Sequence, residues 1–315
     1  MNLKQIIYLF ATVAVVLGVS SCGSDGGGGN PYDNQVQRPF YPSKVSFKSV
    51  NNNNEKVEEV WTFEYNEDRT ISRYTCSRSE ISSVGEVNEN IEGKLRYYKK
   101  FNDERAIEAV ITSDYSSYND FSQHNKLNAY RDTLREDVSF SGDLITSIVT
   151  SGVRSYENRA PGHISYAKTF TYSGDYCTGY TYKDLDGEIT YSYKWSGEKL
   201  YKVSAYEQNN DYSRVLHRNY EYTYSKNEYS SDYGFNPMAF IYGHNPVVYA
   251  AMSYFGKVTP YMLENEVYSY YETVDGKTQP RSTLNIGYNN IDQENYIYYT
   301  ADSDNYSEYT FIFSK

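Results

Sequence analysis

Histidine, cysteine, tryptophan and proline are all scarce in this chain of 315 residues: 4 His, 3 Cys, 2 Trp and 8 Pro. So few thiols and imidazoles, so widely scattered, exclude an ordinary structural zinc site. No His-Glu-x-x-His, no Gly-x-Ser-x-Gly elbow and no glycine-rich phosphate loop opening a helix is present, so the common hydrolase and nucleotide signatures are missing. A basic excess is missing too. Lys and Arg number 30 against 41 Asp and Glu, for a formal charge of −11. Nucleic-acid affinity rests on phosphate neutralisation, so no nucleic-acid partner is expected. The longest apolar run, Ile6 to Val19, has 14 residues. That is too short for a spanning helix and suits the apolar segment of a secretory signal.

What the chain has in abundance is tyrosine: 39 Tyr, with 13 Phe. The Tyr, Phe and Trp residues fall in period-2 alternation. Trp61, Phe63 and Tyr65 share one face, as do Tyr191, Tyr193 and Trp195, and Tyr220, Tyr222 and Tyr224. Phe170 pairs with Tyr172, Leu284 with Ile286 and Tyr288, and Tyr309 with Phe311 and Phe313. Thr, Ser, Lys and Glu fill the other positions, as in an antiparallel sheet with one covered and one wet face. The pattern predicts an all-β fold, a large antiparallel hairpin meander rolled into a barrel-like sheet.

A repeat supports the hairpins. Phe140-Ser141-Gly142-Asp143, Tyr172-Ser173-Gly174-Asp175 and Trp195-Ser196-Gly197-Glu198 each precede a strand residue eight places after the aromatic: Ile148, Tyr180 and Val203. A second form aligns Tyr65-Asn66-Glu67-Asp68 with Phe101-Asn102-Asp103-Glu104. Each reads as a strand end, a reversing turn and a new strand. Asp184-Leu185-Asp186-Gly187 reads as a further turn in preference to a calcium loop, since the ligand count and flanking helices of such a loop are absent. Two stretches break the alternation. Ser113 to Arg131 reads as a long polar loop. Asn245-Pro246 followed by Val247 to Phe255 and Gly256 predicts one short helix near 246–255, packed over an open end of the sheet.

The N-terminus gives an address. Val19-Ser20-Ser21-Cys22 resembles the bacterial lipobox, which implies that Cys22 is the lipid attachment site. The expected organisation is a signal peptide over 1–21, a lipidated Cys22 with a glycine-rich tether over 22–40, and a single β domain over 41–315. Gly23 lacks the acidic character of inner-membrane retention signals, so the resemblance implies the outer membrane, and Asp25 inclines the expectation toward the cell surface. Cys76 and Cys177 remain to pair or to stay as thiols.

Lipobox, tether, aromatic hairpins and Tyr254-Phe255-Gly256-Lys257 together resemble a family of Bacteroidetes lipoproteins of unknown function with a porin-like fold. The hairpins are also similar to the Tyr-Asp repeats of secreted shell-forming proteins. Asp132-Thr133-Leu134 resembles a short bacterial O-glycosylation site. The family implies no catalytic, cofactor-binding or metal residues, and none is expected here. A membrane pore is not expected either: the mean hydropathy is −0.74, and the aromatic face is mostly Tyr, whose hydroxyl needs a partner in lipid. The expected role is a non-enzymatic module binding glycans or small ligands, with a structural or protein-binding role as the alternative and a glycan-active enzyme after it. The membrane is a partner only through the anchor.

Overall fold

The computed structural model describes residues 41–51, 55–68, 70–83, 85–101, 104–118, 126–208, 214–228, 255–257, 259–274, 277–292, 297–301 and 305–314. Its strands run in chain order as β1 (Tyr41–Asn51), β2 (Lys56–Tyr65), β3 (Ile71–Ser82), β4 (Gly85–Lys99), β5 (Arg105–Tyr118), β6 (Lys126–Ser141), β7 (Leu144–Tyr156) and β8 (Gly162–Ser173). They continue as β9 (Tyr176–Lys183), β10 (Glu188–Ser196), β11 (Lys199–Gln208), β12 (Arg214–Glu228), β13 (Tyr261–Val274), β14 (Lys277–Asp292), β15 (Ile297–Ala301) and β16 (Asn305–Ser314). Every strand pairs antiparallel with its sequence neighbours, and β1 also pairs with β16 from Tyr41↔Ser314 to Asn51↔Asn305. The meander therefore closes on itself, which removes the exposed edges an open sheet would carry.

Strict alternation sets two ends. Hairpins β2–β3, β4–β5, β6–β7, β8–β9 and β10–β11 turn at the end where β1 begins and β16 finishes; we call it the floor. Hairpins β3–β4, β5–β6, β7–β8 and β9–β10 turn at the opposite end, the mouth.

The inner wall is the aromatic face read from the sequence. Phe63, Tyr74, Phe170, Tyr180, Tyr193 and Tyr222 are all buried. The cross-strand pair Tyr180↔Tyr191 stacks at 4.4 Å between centroids with 6° between planes. Gly93 makes room for another: a Cβ there would lie 2.1 Å from the ring of Tyr74, its partner across the ladder. The outer wall of the described strands carries ion-pair rungs, including Lys48–Glu58, Arg73–Glu64, Arg135–Glu108 and Lys202–Glu221. Exposed apolar side chains such as Val110, Val149 and Val153 stand among them without forming an apolar girdle. No helix among the described residues is long and apolar enough to cross a membrane.

The aromatic repeat has a structural cause. Gly142, Gly174 and Gly197 have φ of 59°, 57° and 59°, and nothing lies within 4 Å of a Cβ built on any of them. Conformation, not space, demands glycine there. Beside each turn the ladder slips between the aromatic and the residue before it, a bulge that re-aims the ring. The ring enters the interior and its polar tip donates to a carbonyl of the preceding strand. Tyr172 Oη reaches Ile145 O at 2.7 Å, Trp195 Nε1 reaches Cys177 O at 2.8 Å and Tyr224 Oη reaches Leu200 O at 2.5 Å. Tyr97 and Tyr65 do the same to Ile71 O and Pro42 O. Phe140 has no hydroxyl, and the Arg105 guanidinium lies over its ring instead. Half-buried aromatics with satisfied tips build the floor without stranding a polar group.

The second form of the repeat is corrected. Lys100 N donates to Glu104 O as Asn66 N donates to Thr70 O, so Lys100, not Asn102, takes the place of Asn66. Phe101 sits at its tip, fully exposed, and Tyr97 takes the interior place of Tyr65. Asp184 forms a turn as expected, its carboxylate accepting from the Asp186 and Gly187 amides at 2.9 Å. Both described cysteines are buried free thiols. Burial pushes the Cys177 thiol up to about 12. The stretch containing the expected 246–255 helix lies outside the described residues except Phe255. That residue is 2% exposed and its ring meets Phe170 at 4.9 Å. Gly256 follows with φ 88°, and Lys257 N donates to Asp175 O at 2.7 Å.

The interior tyrosines give a pH prediction. Burial raises the hydroxyls of Tyr180, Tyr193 and Tyr222 well above the ordinary value of about 10. An acid raised in the folded state stabilises the fold below its unfolded value and loses that contribution as pH climbs past it. The fold should therefore weaken steeply above about pH 10. Tyrosinate absorbance should jump together with loss of β-sheet circular dichroism; gradual ionisation of all tyrosines in a still-folded barrel is the contrary result.

Candidate functional site

Interior chemistry changes from floor to mouth. Ile107, Val138 and Ile148 sit in one apolar row toward the floor. One step toward the mouth, Ala109, Glu136, Thr150 and Tyr166 follow in register. Thr150 Oγ1 donates to Glu136 Oε1 at 3.2 Å, with both residues buried. Lys168, beside Ile148 in the ladder, stands 5.8 Å from the Tyr166 ring and 6.0 Å from that of Tyr182. Burial lowers its amine to about 8, with the Glu136 charge opposing. On the adjoining wall Glu59 accepts from Trp61 Nε1 at 2.5 Å and burial raises its carboxyl. Ser113 Oγ donates to Glu89 Oε1 at 2.8 Å.

Nearer the mouth comes a row of three tyrosines on adjacent strands, Tyr115↔Tyr130↔Tyr156. Tyr115 and Tyr130 stack at 4.5 Å and 11°, and Tyr130 meets Tyr156 edge-on at 6.0 Å. The Arg154 guanidinium lies 3.7 Å over the Tyr130 ring, so it takes the face that Tyr115 leaves. Two bonds of 2.8 Å tie it to both oxygens of buried Asp132. A bidentate pair fixes the guanidinium plane, and that plane fixes Tyr130. Arg159 covers Tyr156 in the same way at 3.5 Å.

These rings border an open depression of about 510 Å³. Its lining includes Tyr115, Tyr118, Tyr130 and Tyr156 together with Asn90, Asp114, Ser116, Arg131, Ser155 and Glu157. The wall arises because β6 starts at Lys126 while its ladder with β7 begins only at Tyr130↔Tyr156. The β5–β6 hairpin thus overhangs the β7–β8 turn. Arg131 Nε and Asp114 Oδ1 stand 3.6 Å apart along it.

Sequence reading places Ser113–Arg131 in a loop, and the structure corrects this: Ser113–Tyr118 belong to β5 and Lys126–Arg131 to β6. Ser and Asp alternate there with Tyr and Asn, leaving no apolar period to read. Cys22 lies outside the described residues. In the Asp132-Thr133-Leu134 motif only Thr133 is exposed, since Asp132 is held inside by Arg154. His217 accompanies Glu207, with Nδ1 at 2.8 Å from the carboxylate. Among the described residues no group of three or more His, Cys, Asp or Glu is arranged to hold a metal ion.

The solved structures similar to this chain are porin-like proteins. One, from Bacteroides uniformis, is 15% identical, with a TM-score of 0.44 over 86% of this chain and 96% of that one. Another, from Bacteroides vulgatus, is 12% identical, with a TM-score of 0.36 over 87% and 99%. No family model and no curated protein matches the chain, so the lipoprotein family named by resemblance gains no match.

Proposed function

We propose that the protein is a lipid-anchored cell-envelope module that binds glycans non-enzymatically through the tyrosine-walled depression at the mouth. The observation that carries this reading is the Tyr115–Tyr130–Tyr156 row, rigidly backed by Arg154 and Asp132, beside a solvent-open depression. Flat rings offer apolar area to sugar faces, and hydroxyl and amide groups nearby match sugar hydroxyls. The competing structural or protein-binding role calls for a free sheet edge or an exposed apolar patch. The closed ladder removes the edge, and the exposed apolar side chains on the described surface are dispersed.

Geometry suits a tether. β1 begins at the floor, so the chain that follows Cys22 joins the barrel at the end opposite the depression. An outer wall of ion-pair rungs suits water and not the apolar belt about 25 Å tall that a membrane barrel shows.

Binding should be saturable on a polysaccharide array. Tyr115→Ala and Tyr118→Ala should each weaken it roughly five- to tenfold, the loss of about 1 kcal/mol of ring contact. Tyr201→Ala, exposed on β11, should leave it unchanged. Binding indifferent to Tyr115 and Tyr118 would remove the site; silence across the array would favour the protein-partner role.

A further inference from the structure

We propose that the depression selects uncharged saccharide chains and rejects polyanionic ones, an inference that rests on the glycan reading above. Binding of sulfated or uronic-acid polymers requires guanidinium or ammonium groups available to face them. The lining holds one cation, Arg131, and two carboxylates, Asp114 and Glu157. Arg154 stands behind the tyrosine row, where both Asp132 oxygens hold its fork and Tyr130 covers its face. Arg131 stands against Asp114. Arg159 lies flat on Tyr156.

The remaining lining is neutral or negative. Asn90, Ser116 and Ser155 offer uncharged donors and acceptors, and Glu157 adds a second carboxylate to Asp114. Glu89, opposite Tyr115 in the ladder, is bonded to Ser113. A polyanion entering this site would desolvate its charges against two carboxylates, with one lining guanidinium, already beside Asp114, to offset the cost. The formal charge of −11 adds long-range repulsion at low salt. A neutral sugar meets none of this. Its ring stacks on tyrosine, and its hydroxyls exchange water for amide and hydroxyl partners.

The test uses the purified full-length protein in affinity electrophoresis. Dextran, galactomannan, xyloglucan and hydroxyethylcellulose are compared with dextran sulfate, pectate, alginate and heparin. At least one neutral polymer should retard the protein, with retardation little changed by added salt. Every anionic polymer should bind at least tenfold more weakly. In the double variant Asp114→Asn, Glu157→Gln that gap should narrow severalfold while neutral binding persists. Tighter, Tyr115-dependent binding of an anionic polymer would overturn the charge selection and leave the glycan site standing. Retardation by neither class would overturn the glycan reading and this inference with it.

Discussion

Replacing Phe255 by alanine should cost about 3–5 kcal/mol, the range for truncating a fully buried phenylalanine. The residue is 2% exposed and packs on Phe170. Its backbone cannot follow a collapsing side chain. Gly256 is held at φ 88°, and a Cβ there would lie 2.1 Å from Asp175 O. Lys257 is fixed to Asp175 twice, by its amide to the carbonyl and by its amine to the carboxylate at 3.2 Å. The cavity therefore stays open and the full penalty is felt. For a domain of this size the melting temperature should fall by about 10 °C. Phe255 lies at the floor and the tyrosine row at the mouth, so sugar affinity at a temperature where the variant is folded should be unchanged. A melting temperature within a degree or two of the parent would show that the floor does not depend on this plug.

The second large effect is at the Arg154–Asp132 pair. Asp132→Ala removes both acceptors and leaves a guanidinium two-thirds buried, with side-chain exposure of 33%. Breaking a buried pair from one side costs about 3–5 kcal/mol; partial exposure of Arg154 lowers the expectation to about 2–4 kcal/mol. Arg154→Met should cost a similar amount by stranding Asp132, which is 8% exposed at its side chain. The double variant Asp132→Ala, Arg154→Met removes both charges and should recover most of the loss. Stability and function then separate. The double variant folds, but Tyr130 has lost the guanidinium that fixes its plane, so sugar affinity should remain several-fold reduced. Additive stability losses in the double variant, measured by denaturant unfolding, would contradict a coupled pair.

The barrel wall was legible where chemistry alternates cleanly. Trp61-Thr62-Phe63-Glu64-Tyr65 leaves little choice of face, and the Ser-Gly-acid turns mark hairpins through the positive φ they require. The same repeat misled at Phe101, because Asn-Asp-Glu resembles Asn-Glu-Asp while the chain turns two residues earlier. The site was hidden for a different reason. Its residues come from β4 to β7 and the β7–β8 turn, and they mix inward tyrosines with Asn, Ser and Asp of the opposite parity. A segment polar on both faces reads as a loop, although Ser113–Tyr118 and Asn128–Arg131 are paired in the ladder. Asp132 and Arg154 are 22 residues apart and meet only because the β6–β7 register puts them opposite each other. Closure was equally hidden, since the β1–β16 pairing joins the two ends of the chain.

Hydrogen–deuterium exchange on the full-length protein, with and without a polysaccharide retained in electrophoresis, decides whether sugar binds at the mouth. Added protection should be confined to Ser113–Tyr118, Lys126–Arg131 and Ser155–Glu157, with the floor hairpins at 141–144, 173–176 and 196–199 unaffected. Protection centred on the floor, or on the outer wall away from β5 and β6, would contradict a binding site at the mouth.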